Sequence, residues 1–187
     1  MKNKNSSRWS KIARRIRVPL GFAFAILYVW LAKPTRASIA VGCIVVVIGL
    51  LVRASASGHV RKNEQLAMTG PYAYTRNPLY LGSIIIAVGF GVASLNVWIA
   101  AIIVVFFLAV YLPVIRNEEE FLRVKFPEFE DYAARVPRLL PRFTSLRGAG
   151  TFSRELYLKH REYNALIGAL VLLAILIAKL FWLRAAH

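Results

Sequence analysis

The 187-residue chain is 58% hydrophobic, has a mean hydropathy of +0.53 and carries a formal net charge of +16, from 25 Lys and Arg against nine Asp and Glu. A soluble basic protein would not hold so much aliphatic residue, so the composition excludes the ordinary globular class and points to a polytopic membrane protein. Where the charge lies argues against nucleic-acid binding: Lys2, Lys4, Arg8, Lys11, Arg14, Arg15 and Arg17 crowd ahead of the first apolar run, as a topology signal beside anionic headgroups does.

Five apolar segments follow in order, at roughly 16–32, 37–53, 79–94, 97–115 and 164–183. The first imitates a secretory core, but no small-x-small cleavage site follows it, and it reads as an uncleaved signal anchor. The second contains Cys43, the single cysteine, which excludes an intrachain disulfide and reads as a small buried residue. The first and third are short against the ~20 residues of a span, so they must borrow flanks, tilt or pack on partners. Only Ser94 to Asn96 separates the third from the fourth, which predicts a tight helical hairpin. Within the third, Gly89-Phe90-Gly91 reads as a close-packing site between helices. His59, His160 and His187 lack ligand spacing, so no metal site is expected. The fold expected is an all-α, polytopic membrane helix bundle of about five transmembrane helices with a cytoplasmic helical cap.

Orientation follows from Lys and Arg in the connections. The tail has seven, residues 33–36 have two, 53–78 have four, the 94–96 tip has none, and 116–162 has ten. This places the N-terminus, the 53–78 loop and the 116–162 stretch in the cytoplasm, and the membrane expected is a plasma (inner) membrane. Eight of the nine acids also fall in 116–162, a mixed-charge, water-facing region. Phe121, Leu122 and Phe126 predict a helix that continues the fourth span outward as far as Pro127. Residues 143–163 predict a glycine-containing turn and a short interfacial helix.

Two stretches carry chemistry. The first is "RKNEQLAMTGPYAYTRNPLYLG", residues 61–82, where Gly70-Pro71 signals a turn and Pro78 suits the first turn of a helix. Tyr72, Tyr74, Tyr80 and Arg76 have a bland reading as an interfacial belt. Yet so many rings, a guanidinium and broken backbone within eleven residues also suit the wall of a cavity. The second is Arg116-Asn117-Glu118-Glu119-Glu120. Helix-surface pairs Arg116–Glu120 and Glu119–Arg123 are its bland reading; ionisable groups just beyond a span are its functional one. Ring faces can stabilise an onium centre, carboxylates an ammonium, and arginines an anion. S-adenosylmethionine offers all three groups.

"GPYAYTRNPLYLG" followed by "EEEFLRVKF…Y…RVPRLLPR" resembles the isoprenylcysteine carboxyl methyltransferase and phospholipid methyltransferase superfamily, over about residues 60–142. The usual patterns there look like GPYxYxRHPxYxG, then E-E-x-x-L-x-x-x-F-G and Y-x-x-R-V-P. Here the second becomes Glu118-Glu119-x-x-Leu122-x-x-x-Phe126, then Tyr132-x-x-Arg135-Val136-Pro137. The resemblance implies an integral membrane methyltransferase using S-adenosylmethionine without a Rossmann domain. It further implies a cofactor cavity built from Glu64, Gln65, Leu66, Ala67, Tyr72, Asn77, Pro78, Leu79, Tyr80 and Glu118, with Arg76, Arg116 and Glu119 facing the reacting end; phospholipid-methylating relatives also place a GxG similar to Gly89-Phe90-Gly91 near the cofactor. The core would be 60–142, with 143–187 an interfacial helix and an accessory span.

Two positions depart from the pattern. Asn77 stands where the family places a histidine, keeping hydrogen bonding without titration. Val114 stands where members methylating prenylcysteine carboxylates resemble R-x-x-x-E-E, leaving Arg116 as the nearest cation. The reaction implied is in-line methyl transfer to a lipid or lipid-like acceptor entering from the bilayer. An amine or hydroxyl acceptor would need a base, for which Glu119 is the candidate. An NADPH-dependent membrane sterol or enone reductase carries a similar R-x-P-x-Y string, and a non-catalytic scaffold organising headgroups is the third reading.

Overall fold

The computed structural model describes residues 21–61, 64–142 and 150–185. The basic N-terminal cluster, the start of the first apolar run, residues 143–149 of the expected 143–163 segment and His187 lie outside those residues. Helices account for the regular structure, and no strand occurs among the described residues. Three helices are long and apolar enough to cross a membrane: α2 (Arg36–Ser57), the rod Val97–Lys125, and Tyr163–Leu183 within α8 (Tyr163–Ala185). Two shorter apolar helices, α1 (Gly21–Leu31) and α3 (Pro78–Ser94), complete the five expected segments.

Helices α2 and α3 meet backbone to backbone. A Cβ on Gly42 would lie 2.5 Å from the Gly89 carbonyl oxygen, and one on Gly49 would lie 2.8 Å from that of Gly82. Gly82 and Gly89 return the contact, each 2.8 Å from the opposite glycine's oxygen. Two glycines seven residues apart on each helix therefore form a seam that no larger residue could enter. Small residues let helices approach where lipid supplies no hydrophobic drive. Gly89 thus serves the close packing expected of it, whereas Gly91 meets only Ile103 at an ordinary 3.4 Å.

One end of the bundle is stapled by caps. Thr35 and Ser38 form a reciprocal capping box at the start of α2, and the Ser38 hydroxyl also donates to the Ala93 carbonyl. Leu95, with φ of 47°, makes the left-handed turn between α3 and α4 (Val97–Phe106). Asn96 caps α4 through Trp98 N and donates to Leu31 O, while Lys33 N donates to Ser94 O. The hairpin expected at residues 94–96 is therefore locked to the end of α1.

The rod from Val97 was expected as a plain continuous helix. It instead contains a π-helical turn, Phe107–Tyr111, before α5 (Leu112–Lys125). Pro113 lacks an N–H and its ring cannot follow a regular preceding turn, and a π bulge is one way to accommodate both. The bulge rephases the rod so that Tyr111 packs edge-on against Tyr80, ring centroids 5.7 Å apart.

Beyond the rod a cap forms, with its own apolar core of Leu66, Phe129, Tyr132 and Val136. Helix α6 (Phe129–Arg135) supplies two of these, while Leu122 and Phe126 pack against them from the rod. Phe121, grouped with them by spacing, is not part of this core and is exposed. Short helix α7 (Arg154–Lys159), capped by Ser153, leads into α8. There Arg53 of α2 reaches both oxygens of Glu162 and also bonds Ser83 and the Leu79 carbonyl of α3. That guanidinium ties the last helix to the pair that forms the glycine seam.

Candidate functional site

The string from Gly70 breaks helix for identifiable reasons. Gly70 has φ of +59°, and a Cβ there would meet the His59 ring at 2.5 Å. Pro71 then opens a single 3₁₀ turn, Gly70–Ala73, and Pro78 takes the first position of α3, where its missing N–H costs nothing. Between them Arg76 N donates to Pro137 O, and Arg142 N to Tyr74 O, at 2.9 and 3.0 Å. The broken segment is thereby laced along residues 137–142 of the cap.

Asn77 is the N-cap of α3, a position where Asn normally turns its side chain back onto the helix. It makes no such bond. Its amide donates instead to Glu119 Oε1 at 3.0 Å and to Arg138 O at 2.9 Å. Glu119, only 3% exposed, accepts from Arg138 Nε at its other oxygen at 2.9 Å, and Arg76 Nε lies 3.6 Å from Oε1. One buried carboxylate thus gathers α3, α5, the broken segment and the cap. Neither bland helix-surface pair forms among the described residues: Glu119 faces inward, and Arg123 pairs with Glu130.

Thr75, 2% exposed, donates from its hydroxyl toward the carbonyls of Arg138 and Leu139. Arg76 stacks near the Phe129 ring, its guanidinium carbon 6.0 Å from the centroid, and its buried Nε lacks a hydrogen-bond partner. A buried orphan donor is costly unless something satisfies it.

One helical position away, Glu118 is exposed and its Oε1 accepts from Tyr80 Oη at 2.9 Å. Tyr80 leans on Val110 and Val114, the latter buried at the position where carboxylate-methylating relatives would place arginine. Tyr72 is buried, and its carbonyl accepts from Tyr132 Oη at 2.7 Å. Burial raises the Tyr72 phenol well above its usual range; Tyr132, Glu118 and Glu162 add to this, and Arg53 opposes it. Burial does the same to Tyr132, with Arg76 opposing and Glu119 adding. Both phenols stay neutral donors around neutral pH. Tyr72 also senses carboxylates from α5 and from the start of α8.

The residues expected from sequence separate into groups. Asn77, Glu119 and Arg76 come together; Tyr80 joins Glu118; Pro78 and Leu79 form the adjoining first turn of α3. Leu66 lies in the cap core, and Ala67 is half-buried beside it in the chain. Glu64 and Gln65 are exposed, Glu64 lying 3.9 Å from Lys159 of α7. Arg116 is exposed on α5 and forms no ion pair with the described residues. Sequence reasoning missed Arg138, Thr75 and Arg53. Arg138 stood in the quoted "RVPRLLPR" string, but no spacing rule joins it to a glutamate nineteen positions earlier. Arg53 looked like no more than the charged end of an apolar run.

Comparison with known proteins places the chain at the level of family. The chain is 40% identical over 92 residues to the nickel-cobalt-cadmium resistance protein NccN of Alcaligenes xylosoxydans xylosoxydans, covering 49% of this chain and 43% of the relative. It is 38% identical over 93 residues to the cobalt-zinc-cadmium resistance protein CzcN of Cupriavidus metallidurans, covering 50% and 43%. The chain therefore spans less than half the length of these curated relatives. No solved structure matches. Residues 20–128, more than half of the chain, match the sequence pattern of the family described as phospholipid methyltransferase; they embrace α1 to α5, with both Asn77 and Glu119, and this protein belongs to that family.

Proposed function

We propose that this protein is an S-adenosylmethionine-dependent methyltransferase of the membrane, acting on a lipid or lipid-like acceptor. The observation that carries the reading is the joining of the two motif segments at one end of the bundle, Asn77 to Glu119 and Tyr80 to Glu118. The donor set fits the cofactor's charges. Glu118 is exposed and has lone pairs to spare for an ammonium. The faces of Tyr72 and Tyr80 suit an onium centre. The Arg76 guanidinium, ion-paired with Glu119 but with an Nε that makes no hydrogen bond, suits an anionic group of cofactor or acceptor.

When bound, the cofactor supplies an electrophilic methyl group on a sulfonium. The chain's residues hold, orient and keep water out. Buried Glu119 already binds Asn77 and Arg138, so its role in this reading is to fix Arg76 and Arg138 rather than to take a proton. Proximity in a dry site then supplies most of the acceleration. Val114 makes the wall beside Tyr80 apolar, which favours an acceptor without a free carboxylate, such as a phospholipid headgroup. The N-terminus and both polar loops face the cytoplasm, the source of the cofactor, and the membrane is the plasma (inner) membrane. The metals in the relatives' names belong to those proteins and are not carried over to this chain.

Calorimetric titration of detergent-purified protein with S-adenosylhomocysteine tests the reading, with NADPH as a control. Saturable binding, weakened ~10-fold or more in Glu118→Ala, is the expected result. Binding of NADPH without the nucleoside would replace it by a reductase. Silence from both would leave a scaffold.

A further inference from the structure

The end of the bundle away from Glu119 carries lysines and, among the described residues, no Asp or Glu side chain. All nine Asp and Glu lie from Glu64 to Glu162, in the loops and cap at the other end. Lys33 joins α1 to α2 at the far end, and Lys179 belongs to the closing turns of α8 there. The Lys179 ammonium donates to Val29 O and Trp30 O at 2.6 and 2.8 Å. These are among the carbonyls that a helix leaves open at its C-terminus, so Lys179 caps α1. An ammonium has a third donor, and Lys33 is exposed.

Beside these lysines a trough of about 790 Å³ runs between α1 and α8. Its walls are apolar, Ile26 and Ile175 among them, and it is flanked by Trp30 and Trp182, 76% and 67% exposed. Indoles gather at headgroup level in membranes. Apolar walls ending in two ammonium groups and two indoles have the polarity of one diacyl lipid with an anionic headgroup. No Asp or Glu side chain lines the trough, so none competes with a lipid phosphate for the two lysines. A zwitterionic lipid would bring an ammonium of its own against both lysines, and a free phosphate would leave the apolar walls unused.

We propose that the trough between α1 and α8 binds an anionic phospholipid, its phosphate held by Lys33 and Lys179. The site is independent of the methyl-transfer reading, because it lies at the opposite end of the helices. It gives the last span a role: the lipid splints α8, beyond the family-matched residues, to α1.

The test uses the full chain in vesicles, with Trp9 and Trp98 changed to Phe so that Trp30 and Trp182 alone report. Their quenching by phosphatidylglycerol brominated on its acyl chains is compared with that by brominated phosphatidylcholine. Each lysine near a phosphate contributes a preference of about fivefold for the anionic lipid. Lys33→Gln, a change at an exposed side chain, should lower the preference about fivefold while leaving folding intact. Lys179→Met should lower it further, and its loss of the α1 cap makes the Lys33 variant the deciding one. Equal quenching by both lipids, or a preference unchanged in Lys33→Gln, would overturn the proposal. So would reversal of the preference by millimolar glycerol phosphate, because the acyl chains would then contribute nothing.

Discussion

The α2–α3 seam and the Asn77–Glu119 junction join the same helix, α3, to its neighbours by opposite means. At the seam four glycines bring backbones together, and the one polar side chain at the contact, Arg53, lays its aliphatic stem over Gly82. At the junction a buried carboxylate, an amide and two guanidinium groups meet in a polar knot. Close packing of small residues is a steric solution that tolerates no added volume but needs no partner chemistry. A buried polar knot is stable only while every member is present, because each removal strands the others. The difference separates two kinds of contact: the seam holds α3 at a fixed height by packing alone, whereas the junction uses polar groups, which is what the proposed site would require.

The comparison can be broken at either side. The largest effect is expected at the seam. Gly49→Leu drives a side chain into the Gly82 carbonyl and Ile86, costing ~3 kcal/mol or more, and should collapse the thermal unfolding midpoint in detergent. Glu119→Ala comes next. It leaves Arg76 and Arg138 without their shared carboxylate, and ~3 kcal/mol of stability should go together with S-adenosylhomocysteine binding. Glu119→Gln, which keeps the shape, should recover part of the stability and less of the binding.

Glu118→Ala sharpens the contrast by separating stability from binding. Glu118 is exposed, so the unfolding midpoint should move by under ~0.5 kcal/mol while the affinity for the nucleoside falls ~10-fold or more. Equal losses of both would assign Glu118 to the architecture.

The smallest effect concerns alkaline pH. Tyr72 and Tyr132 have phenols raised by burial, so their neutral forms favour the fold below the ordinary phenol value of about 10. That stability should be lost as pH rises above that value, where only the unfolded chain ionises. Tyr72→Phe should therefore flatten the alkaline limb of the stability–pH profile and leave the neutral region nearly unchanged. A limb as steep as the parent's would assign the loss to other groups.

Much of this was readable along the chain, and the reason is geometric. Apolar runs of span length, Pro78 at a helix start, Gly70 before Pro71 and the three-residue tip at 94–96 act within one or two turns of backbone, where periodicity and turn chemistry are decisive. The paired motifs located both halves of the candidate site, Asn77 with Tyr80 and Glu118 with Glu119. Their pairing was not readable. Glu119 and Arg123 had the spacing of a surface pair, yet the π turn at Phe107–Tyr111 and the docking of the cap set which carboxylate faces inward.

By itself, then, the sequence determined the helical membrane class, the five apolar helices, the hairpin tip and the two stretches in which polar chemistry gathers. The tertiary structure alone decided that Glu119 is buried and Glu118 open, that Arg138 and Arg53 reach across 19 and 109 residues to their partners, and that an acid-free trough lies between α1 and α8. Local propensity acts over a turn of helix. Which buried charge meets which partner depends on how separate helices pack, and no spacing along the chain encodes that.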